Sequence, residues 1–358
     1  MSKYSVVEIN TQKVRQADTS ILILYTGGTI GMDQDRESGS LVPFDFEQIL
    51  EKVPELGRFD FNLTVFSLDP LIDSSDIKPS HWSTLADIIK EEYDNFDGFV
   101  ILHGTDTMAY SASALSFMLE GLQKPVIFTG AQLPIGVPRT DARENFISAM
   151  EMAAARSTDG SMLVQEVCIC FSSELLRGNR SKKVQNFNFT AFKSYNYPPL
   201  AEAGIHIEYF ESLLWRPSST EQELKVYTEM NTNVIIVKIF PGMSQQYLEA
   251  LLSMPGLKGV VLETYGSGNT STEAWLVQAL QKAVEKGVVI VNVSQCTGGS
   301  VLQGRYATSL HLEKIGVISG KDLTTESAIT KLMALWGRYT SSEEVKSMMQ
   351  KSLAGEIS

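Results

Sequence analysis

Two apolar segments that each end at a glycine most constrain the fold of this chain. Residues 21–32 read ILILYTGGTIGM, and residues 99–108 read FVILHGTDTM. In each, a continuous apolar run stops at glycine and then presents threonine hydroxyls, which is the pattern of a buried parallel strand that leads into a helix. Ligands of such folds bind at the carboxyl ends of the strands, where helix N-termini favour an anion or an oxyanion. The pattern predicts one site that contains Thr26, Thr29, Thr105 and Asp106.

Strand-like and helix-like segments alternate along the chain. Short apolar runs rich in β-branched or aromatic residues, such as residues 126–129 and 167–171, are separated by amphipathic stretches such as residues 80–95 and 108–121. The alternation breaks at the YNYPP segment, residues 195–199, and resumes at residue 234. It predicts an α/β protein of two three-layer α/β/α domains with mainly parallel sheets. The predicted parts are an N-terminal extension over residues 1–19, a large catalytic domain over 20–208, a linker over 209–231 and a smaller C-terminal domain over 232–358.

Charge and composition favour a small-molecule ligand. The formal net charge of -12 repels polyanions, so we expect neither nucleic acid nor an anionic membrane as a partner. No segment has the run of about 20 apolar residues that a membrane helix needs. Neither a Walker loop nor GxGxxG is present. Cys168, Cys170 and Cys296 match neither a disulfide framework nor a zinc pattern, so we expect buried reduced thiols and no metal or organic cofactor.

A threonine nucleophile needs a group that accepts its proton. Of the four histidines only His103 adjoins a candidate loop, and a histidine at a strand end is more often structural than a base. A lysine held near Asp106 in a water-poor pocket could have a lowered pKa and accept a proton. The basic turn RGNRSKK, residues 177–183, offers Lys182 and Lys183. Taken alone, this turn is better interpreted as a solvated charged loop, and TGGT as a tight turn.

Four motifs occur together in an order that resembles the L-asparaginase family. They are YTGGTIGM at 25–32, HGTDTMAY at 103–110, TGAQLPIG at 129–136 and NRSKK at 179–183. The resemblance runs from about Ser20 to the last predicted helices, and the chain is most similar to the cytoplasmic bacterial type I enzymes. It implies a cytoplasmic protein whose larger domain is flavodoxin- or Rossmann-like, and a homodimer or a homotetramer formed as a dimer of dimers.

The resemblance implies an amidohydrolase that needs no cofactor and converts L-asparagine to L-aspartate and ammonia through a threonine acyl-enzyme. Thr29 corresponds to the nucleophile, and Thr105, Asp106 and Lys183 to a second group that carries protons. Backbone N–H groups near Thr29 and Thr105 correspond to the oxyanion hole, and Asn269 of the partner subunit would border each site. The implied substrate contacts are Gly28, Asp73, Ser74, Ser75, Gly104, the carbonyl of Ala131, and Asn269.

The chain departs from the family pattern in the segment after the first motif. Residues 33–42, DQDRESGSLV, correspond to a mobile lid that carries a tyrosine in the family, and here Leu41 stands near its place. Without the resemblance, the DSSD segment at 73–76 is a polar turn or a helix-start signal. The alternatives to an asparaginase are a glutaminase-asparaginase of mixed specificity, an asparagine sensor without catalysis, and a subunit of a tRNA-dependent amidotransferase.

Overall fold

The computed structural model of the protein describes residues 4–9, 19–34, 41–43, 52–216, 223–303 and 307–358. The chain divides into two compact units, Met1–Val226 and Tyr227–Ser358. The point of division falls within residues 209–231, the segment predicted as a linker. Each unit contains its own sheet and its own buried core.

A nine-stranded sheet organises the first unit. The strands of this unit are β1 Tyr4–Ile9, β2 Ser20–Tyr25, β3 Met32–Gln34, β4 Leu41–Pro43, β5 Asn62–Leu68, β6 Gly98–Leu102, β7 Leu119–Glu120, β8 Val126–Thr129, β9 Val167–Phe171, β10 Glu174–Arg177, β11 Lys182–Lys183, β12 Phe192–Lys193, β13 Ala201–Ala203, β14 Ile207–Tyr209 and β15 Lys225–Val226. The sheet has the order β1-β5-β2-β6-β8-β9-β10-β13-β14, and the remaining strands form the pairs β3–β4, β11–β12 and β7–β15.

The five central strands of this sheet, from β5 to β9, are parallel. Antiparallel strands flank them, with β1 at one edge and β10, β13 and β14 at the other. The edge strand β1 lies in the segment predicted as an N-terminal extension. The predicted α/β class with a mostly parallel central sheet is therefore confirmed.

Register brings the ends of three strands level. Tyr25, the last residue of β2, lies opposite Leu102, the last residue of β6. Leu102 in turn lies opposite Thr129, the last residue of β8. The loops that follow these strands therefore leave the same edge of the sheet side by side.

Three helices of the first unit accompany these strands, namely α1 Pro79–Glu91, α2 Met108–Met118 and α3 Ala142–Ala154. Helix α1 starts with a proline, which suits the first helical position, and buries Trp82, Leu85 and Ile89 on one face. Helix α2 is composed largely of alanine and serine and is buried on almost every side. The prediction had extended α2 to Gly121, whereas β7 begins at Leu119 and pairs with β15.

The second unit is a smaller parallel α/β structure. Its sheet has the order β16-β17-β18-β19, and its core lies between this sheet and the helices. The elements are β16 Val234–Lys238, α4 Gln245–Leu252, β17 Gly259–Thr264, α5 Ala274–Glu285, β18 Val289–Ser294, α6 Ala307–Lys314, β19 Ile318–Ser319, α7 Thr325–Arg338 and α8 Ser342–Met349.

The cysteines are free thiols, of which Cys168 and Cys170 are buried in β9 and Cys296 is exposed. The expectation that all three are buried was therefore wrong for Cys296, which lies beyond the end of β18. Within the described ranges, no helix combines the length and the apolar character needed to cross a membrane.

A fully buried ion pair closes the C-terminal segment onto α7. The Lys331 ammonium donates to the Glu356 carboxylate at 2.5 Å and to the carbonyls of Met349 and Lys351. Both charged side chains are 0% exposed. The Glu356 carboxylate also accepts the backbone N–H groups of Leu353 and Ala354. The ammonium and the carboxylate each have hydrogen-bond partners and are shielded from water. Removal of one charge would therefore leave the other buried without a counter-charge.

We expect Glu356→Gln to lower the free energy of unfolding by about 3 to 5 kcal/mol, because the ammonium loses its counter-charge while still buried. Urea unfolding measures the change. Glu343→Gln is the matched control, since Glu343 pairs with Lys346 but is 78% exposed, and its loss should cost less than about 1 kcal/mol. Equal small losses in both variants would contradict the assignment.

Candidate active site

The loop that follows β2 is held in contact with the loop that follows β6. Gly28 has a φ of 87°, and a Cβ there would lie 2.5 Å from the backbone N of Gly104. A Cβ at Gly27 would lie 2.4 Å from the carbonyl oxygen of Ile72. Only glycine fits both the positive φ and the close backbone approach. The two glycines of TGGT therefore bring Thr29 beside residues 104–106, the loop after β6 that is called the GTD loop below.

Thr26 anchors the start of the loop that follows β2 to the end of β6. Its side chain is 1% exposed, and its hydroxyl donates to the Leu102 carbonyl at 2.9 Å. Its backbone N–H donates to the same carbonyl. The sequence had placed Thr26 among the candidate site residues, but a hydroxyl buried and bonded in this way serves to anchor the loop.

A cavity of about 530 Å³ opens where these loops meet. Its wall includes all four predicted catalytic residues, Thr29, Thr105, Asp106 and Lys183. Of the predicted substrate contacts, the wall includes Gly28, Asp73, Ser74 and Gly104.

Three predicted substrate contacts are placed differently. Ser75 and Ala131 are chain neighbours of the wall residues Ser74 and Gln132. Asn269 lies in the second unit, where its backbone N–H donates to the Tyr265 carbonyl. The lid predicted over residues 33–42 falls outside the described residues in its central part, 35–40.

Sequence reasoning missed six wall residues, namely Gly27, Met32, Leu71, Ile72, Gln132 and Asn186. Gln132 stands inside the TGAQLPIG motif, which therefore carried a signal for it. Asn186 follows the basic turn by three residues. Met32 likewise stands inside the YTGGTIGM motif. Leu71 and Ile72 have no local signal, because only the folding of separate loops onto one another brings them to the cavity.

Lys183 links Thr105 to Asp106. Its ammonium donates to Thr105 Oγ1 at 2.7 Å and to Asp106 Oδ1 at 2.6 Å. Successive residues of a strand point to opposite faces, so the two-residue strand β11 directs Lys183 and Lys182 to different sides. Lys183 is the one on the cavity wall. The turn that seemed a solvated loop from sequence alone thus contributes a lysine that is only 17% exposed.

The Thr105 hydroxyl is oriented by this contact. An ammonium only donates hydrogen bonds, so Thr105 Oγ1 accepts from Lys183 and its own proton points elsewhere. That proton is directed at Gln132 Oε1, 3.5 Å away on the same wall. Lys183 and Thr105 are therefore joined by a hydrogen bond along which a proton can move, and both residues lie on the cavity wall.

The DSSD segment forms a one-turn 3₁₀ helix, Ser74–Asp76, and Asp73 caps it. The Asp73 carboxylate accepts both the backbone N–H and the hydroxyl of Ser75, and the backbone hydrogen bond is the main cause that lowers the pKa of Asp73. Ser74 is 5% exposed, and its carbonyl accepts the Thr107 hydroxyl at 2.6 Å. The helix-start interpretation therefore describes the geometry, while Asp73 and Ser74 also line the cavity.

His103 is a structural residue beneath the GTD loop. Its Nδ1 lies 2.6 Å from the Gly104 carbonyl oxygen, which only accepts, so Nδ1 carries the proton. Its Nε2 carries no proton and accepts from the Ser111 hydroxyl at 3.0 Å, while Ser111 Oγ in turn accepts from Trp82 Nε1. Burial lowers the pKa of His103 to about 4, so the imidazole is neutral at neutral pH. With both nitrogens occupied and 1% exposure, it does not act as the base.

Comparisons with known proteins find similar sequences and a similar fold. The family model described as asparaginase, N-terminal, matches residues 20–215, and that of the glutaminase/asparaginase C-terminal domain matches residues 233–349. L-asparaginase 1 of Escherichia coli (strain K12) is 41% identical over 94% of this chain and 98% of that protein. The 60 kDa lysophospholipase of Homo sapiens is 41% identical over 94% of this chain and 61% of that protein. The crystal structure of L-asparaginase I from Vibrio cholerae has a TM-score of 0.85 and 41% identity, covering 96% of this chain and all of that one.

Among the described residues, no cluster of three or more His, Cys, Asp or Glu side chains could hold a metal ion.

The neutral state of His103 makes stability depend on pH. Its pKa in the fold is below that of an unfolded histidine, so its contribution is fully present above about pH 6.5 and is lost as pH falls toward about 4. We expect wild type to lose about 2 to 3 kcal/mol more unfolding free energy than His103→Gln between about pH 7.5 and about pH 4.5. Urea unfolding at the two pH values measures the difference. His206→Gln, at an exposed position, is the control and should keep the wild-type slope. A slope in His103→Gln equal to that of wild type would refute the assignment.

Proposed function

The chain belongs to the asparaginase family, and on that premise we propose that it hydrolyses L-asparagine to L-aspartate and ammonia through an acyl-enzyme on Thr29. The single observation that carries the mechanism is the Lys183–Thr105–Asp106 contact on the same cavity wall as Thr29. A threonine hydroxyl is a weak nucleophile, so it needs neighbours that accept its proton and stabilise the oxyanion. This wall supplies groups of both kinds.

The first half of the reaction forms the acyl-enzyme. The Thr29 oxygen attacks the side-chain amide carbon, and the carbonyl electrons move to the oxygen to give a tetrahedral oxyanion. Backbone N–H groups near Thr29 and Thr105 stabilise this charge, and one such donor is typically worth about 3 to 4 kcal/mol. The oxyanion collapses, the C–N bond breaks, and the nitrogen leaves as ammonia with the proton that Thr29 gave up.

The Lys183–Thr105 pair carries that proton. Lys183, as the free amine, accepts it through the Thr105 hydroxyl when Thr29 attacks, and the resulting ammonium donates to Thr105 Oγ1 as in the structure. The ammonium then returns the proton through Thr105 to the leaving nitrogen, so Lys183 is again a free amine that can accept a proton from water. In the second half, water adds to the ester carbon, loses its proton along the same path, and releases aspartate and the Thr29 hydroxyl.

An α-amino acid substrate fits the charges around the cavity. Asp106 uses one carboxylate oxygen for Lys183, and its side chain is 65% exposed. It can therefore also accept from an α-ammonium group, which is a strong charge-assisted hydrogen bond. The DSSD loop, with Ser74 on the wall, is suited to the α-carboxylate. In this proposal, recognition of the ionised end of the substrate positions the side-chain amide for attack by Thr29.

Further parts of the proposal rest on the family resemblance. We place the reaction in the cytoplasm and assign a homodimer, or a dimer of dimers, in which Asn269 of the partner subunit borders the site. A mixed glutaminase-asparaginase is the second candidate, because the matched C-terminal family model is described by both activities. L-Glutamine in the same assay decides between them.

We expect purified protein to release ammonia from L-asparagine, and Thr29→Ala and Lys183→Ala each to lower kcat by at least about a thousandfold, because each removes a member of one reacting unit. Ammonia release is measured over a concentration series of L-asparagine, L-glutamine and D-asparagine. Lys193→Ala is the matched control, since Lys193 is an exposed lysine on the neighbouring strand β12 and should leave kcat unchanged.

The outcomes separate the hypotheses. Mass spectrometry of the quenched reaction should find an aspartyl group on the peptide that contains Thr29. Saturable binding of asparagine without ammonia release would favour the sensor. Full activity in Thr29→Ala would exclude the proposed nucleophile.

A further inference from the structure

The loop that follows β8 is held by Asp141, the residue directly before helix α3. The Asp141 carboxylate accepts the backbone N–H of Gln132 at 3.0 Å through both of its oxygens, and that of Leu133 at 3.1 Å. Asp141 stands at the N-cap position of α3, but its side chain makes no capping hydrogen bond to that helix. The carboxylate is therefore committed to the loop.

Asn145, one turn further along α3, completes this support. Its side-chain amide donates to the Gly130 carbonyl at 2.9 Å and to Asp141 Oδ2 at 3.1 Å, and its Oδ1 accepts the Ser172 N–H at 3.0 Å. Asn145 is 2% exposed. Its polar atoms thus join the end of β8 to the end of β9.

These contacts determine the direction of the Ala131 carbonyl. A trans peptide is planar, and its C=O and N–H point in opposite directions. The Gln132 N–H points at Asp141, so the Ala131 C=O of the same peptide points away from Asp141. Gly130, on the other side, packs against the GTD loop, since a Cβ there would lie 2.5 Å from the His103 oxygen and 3.6 Å from Thr105. The peptide between Ala131 and Gln132 is therefore held by Asp141 at its N–H, and the neighbouring Gly130 lies next to Thr105.

We propose that Asp141 and Asn145 are positioning residues that direct the Ala131 carbonyl at the amide nitrogen of the substrate. This inference rests on the proposed function, in which that carbonyl accepts an N–H of the amide. The hydrogen bond holds the C–N bond in a fixed orientation toward Thr29 and Thr105. Since a misplacement of about 1 Å can cost about a hundredfold in rate, the support behind the peptide controls turnover.

The chemistry of the leaving group gives a selective test. L-Asparagine has an NH₂ group that donates to the Ala131 carbonyl, whereas the β-methyl ester of L-aspartate has a methoxy group that donates nothing. Both would form the same acyl group on Thr29. A change that only disturbs the Ala131 carbonyl therefore affects the amide and leaves the ester nearly unaffected.

Asp141→Asn and Asn145→Asp keep the side-chain volumes. The first replaces one of the two acceptor oxygens by an NH₂ group, which cannot accept, and the second removes the donor to the Gly130 carbonyl. We expect kcat for asparagine to fall about 10- to 100-fold in each, with KM within about threefold of wild type. We expect kcat for the ester to fall by less than about threefold. Ammonia and methanol release measure the two reactions, and thermal unfolding is recorded for each variant.

Asp159→Asn is the matched control, because Asp159 also accepts a backbone N–H and a hydroxyl, both from Ser161, but in an exposed turn. Its ratio of amide to ester turnover should equal that of wild type. Equal loss of both activities in Asp141→Asn and Asn145→Asp, or no loss of either, would overturn the positioning role. Absence of asparagine hydrolysis in wild type would instead overturn the proposed function itself, so the two failures are distinguishable.

Discussion

Backbone contact between Gly28 and Gly104 is the constraint on which the rest of the site depends. Parallel register first brings the ends of β2 and β6 level, which places their loops side by side. The absence of a Cβ at Gly28 then allows the two loops to touch, because a Cβ there would lie 2.5 Å from the Gly104 N, and the absence of a Cβ at Gly104 leaves room for the Ser74 side chain. Thr29 and Thr105 follow these glycines at once. Their presence on one cavity wall is thus a consequence of strand register and missing side chains.

Polar side chains hold the peptide planes around the cavity by hydrogen bonds. His103 binds the Gly104 carbonyl from below, Thr26 binds the end of β6, and Asp141 binds the Gln132 N–H. Each contact directs the opposite end of a peptide, because the planar amide has no freedom to turn one end without the other. Groups held in this way need little rearrangement when charge develops, which is the condition for strong electrostatic stabilisation of a transition state.

Sequence reasoning predicted an element or a site residue correctly where neighbouring residues in the chain carried the information for it. The strands Val126–Thr129 and Val167–Phe171 were predicted with the bounds that the structure has, because each is a short apolar run between polar turns. Helix α2 was predicted too long, since the pairing of β7 with the distant β15 left no local signal. Lys183 could not be separated from Lys182 by spacing alone, and the register of a two-residue strand decided which of them reaches the cavity. Ile72 was missed because contact between loops brings it to the wall, whereas Gln132 was missed although it stands inside the TGAQLPIG motif.

The sequence by itself determined the α/β class, the places where apolar strands end in glycine and threonine, and the family to which four ordered motifs belong. The class and the strand ends follow from local composition and periodicity, which act through neighbouring residues, whereas the family follows from the resemblance of the motifs and their order. The tertiary structure alone decided that Thr26 is an anchor, that His103 is a neutral support, and that Asp141 turns its carboxylate to a loop instead of capping its helix. Each of these depends on a partner far away in the chain or on burial, and neither quantity can be calculated from the residues on either side.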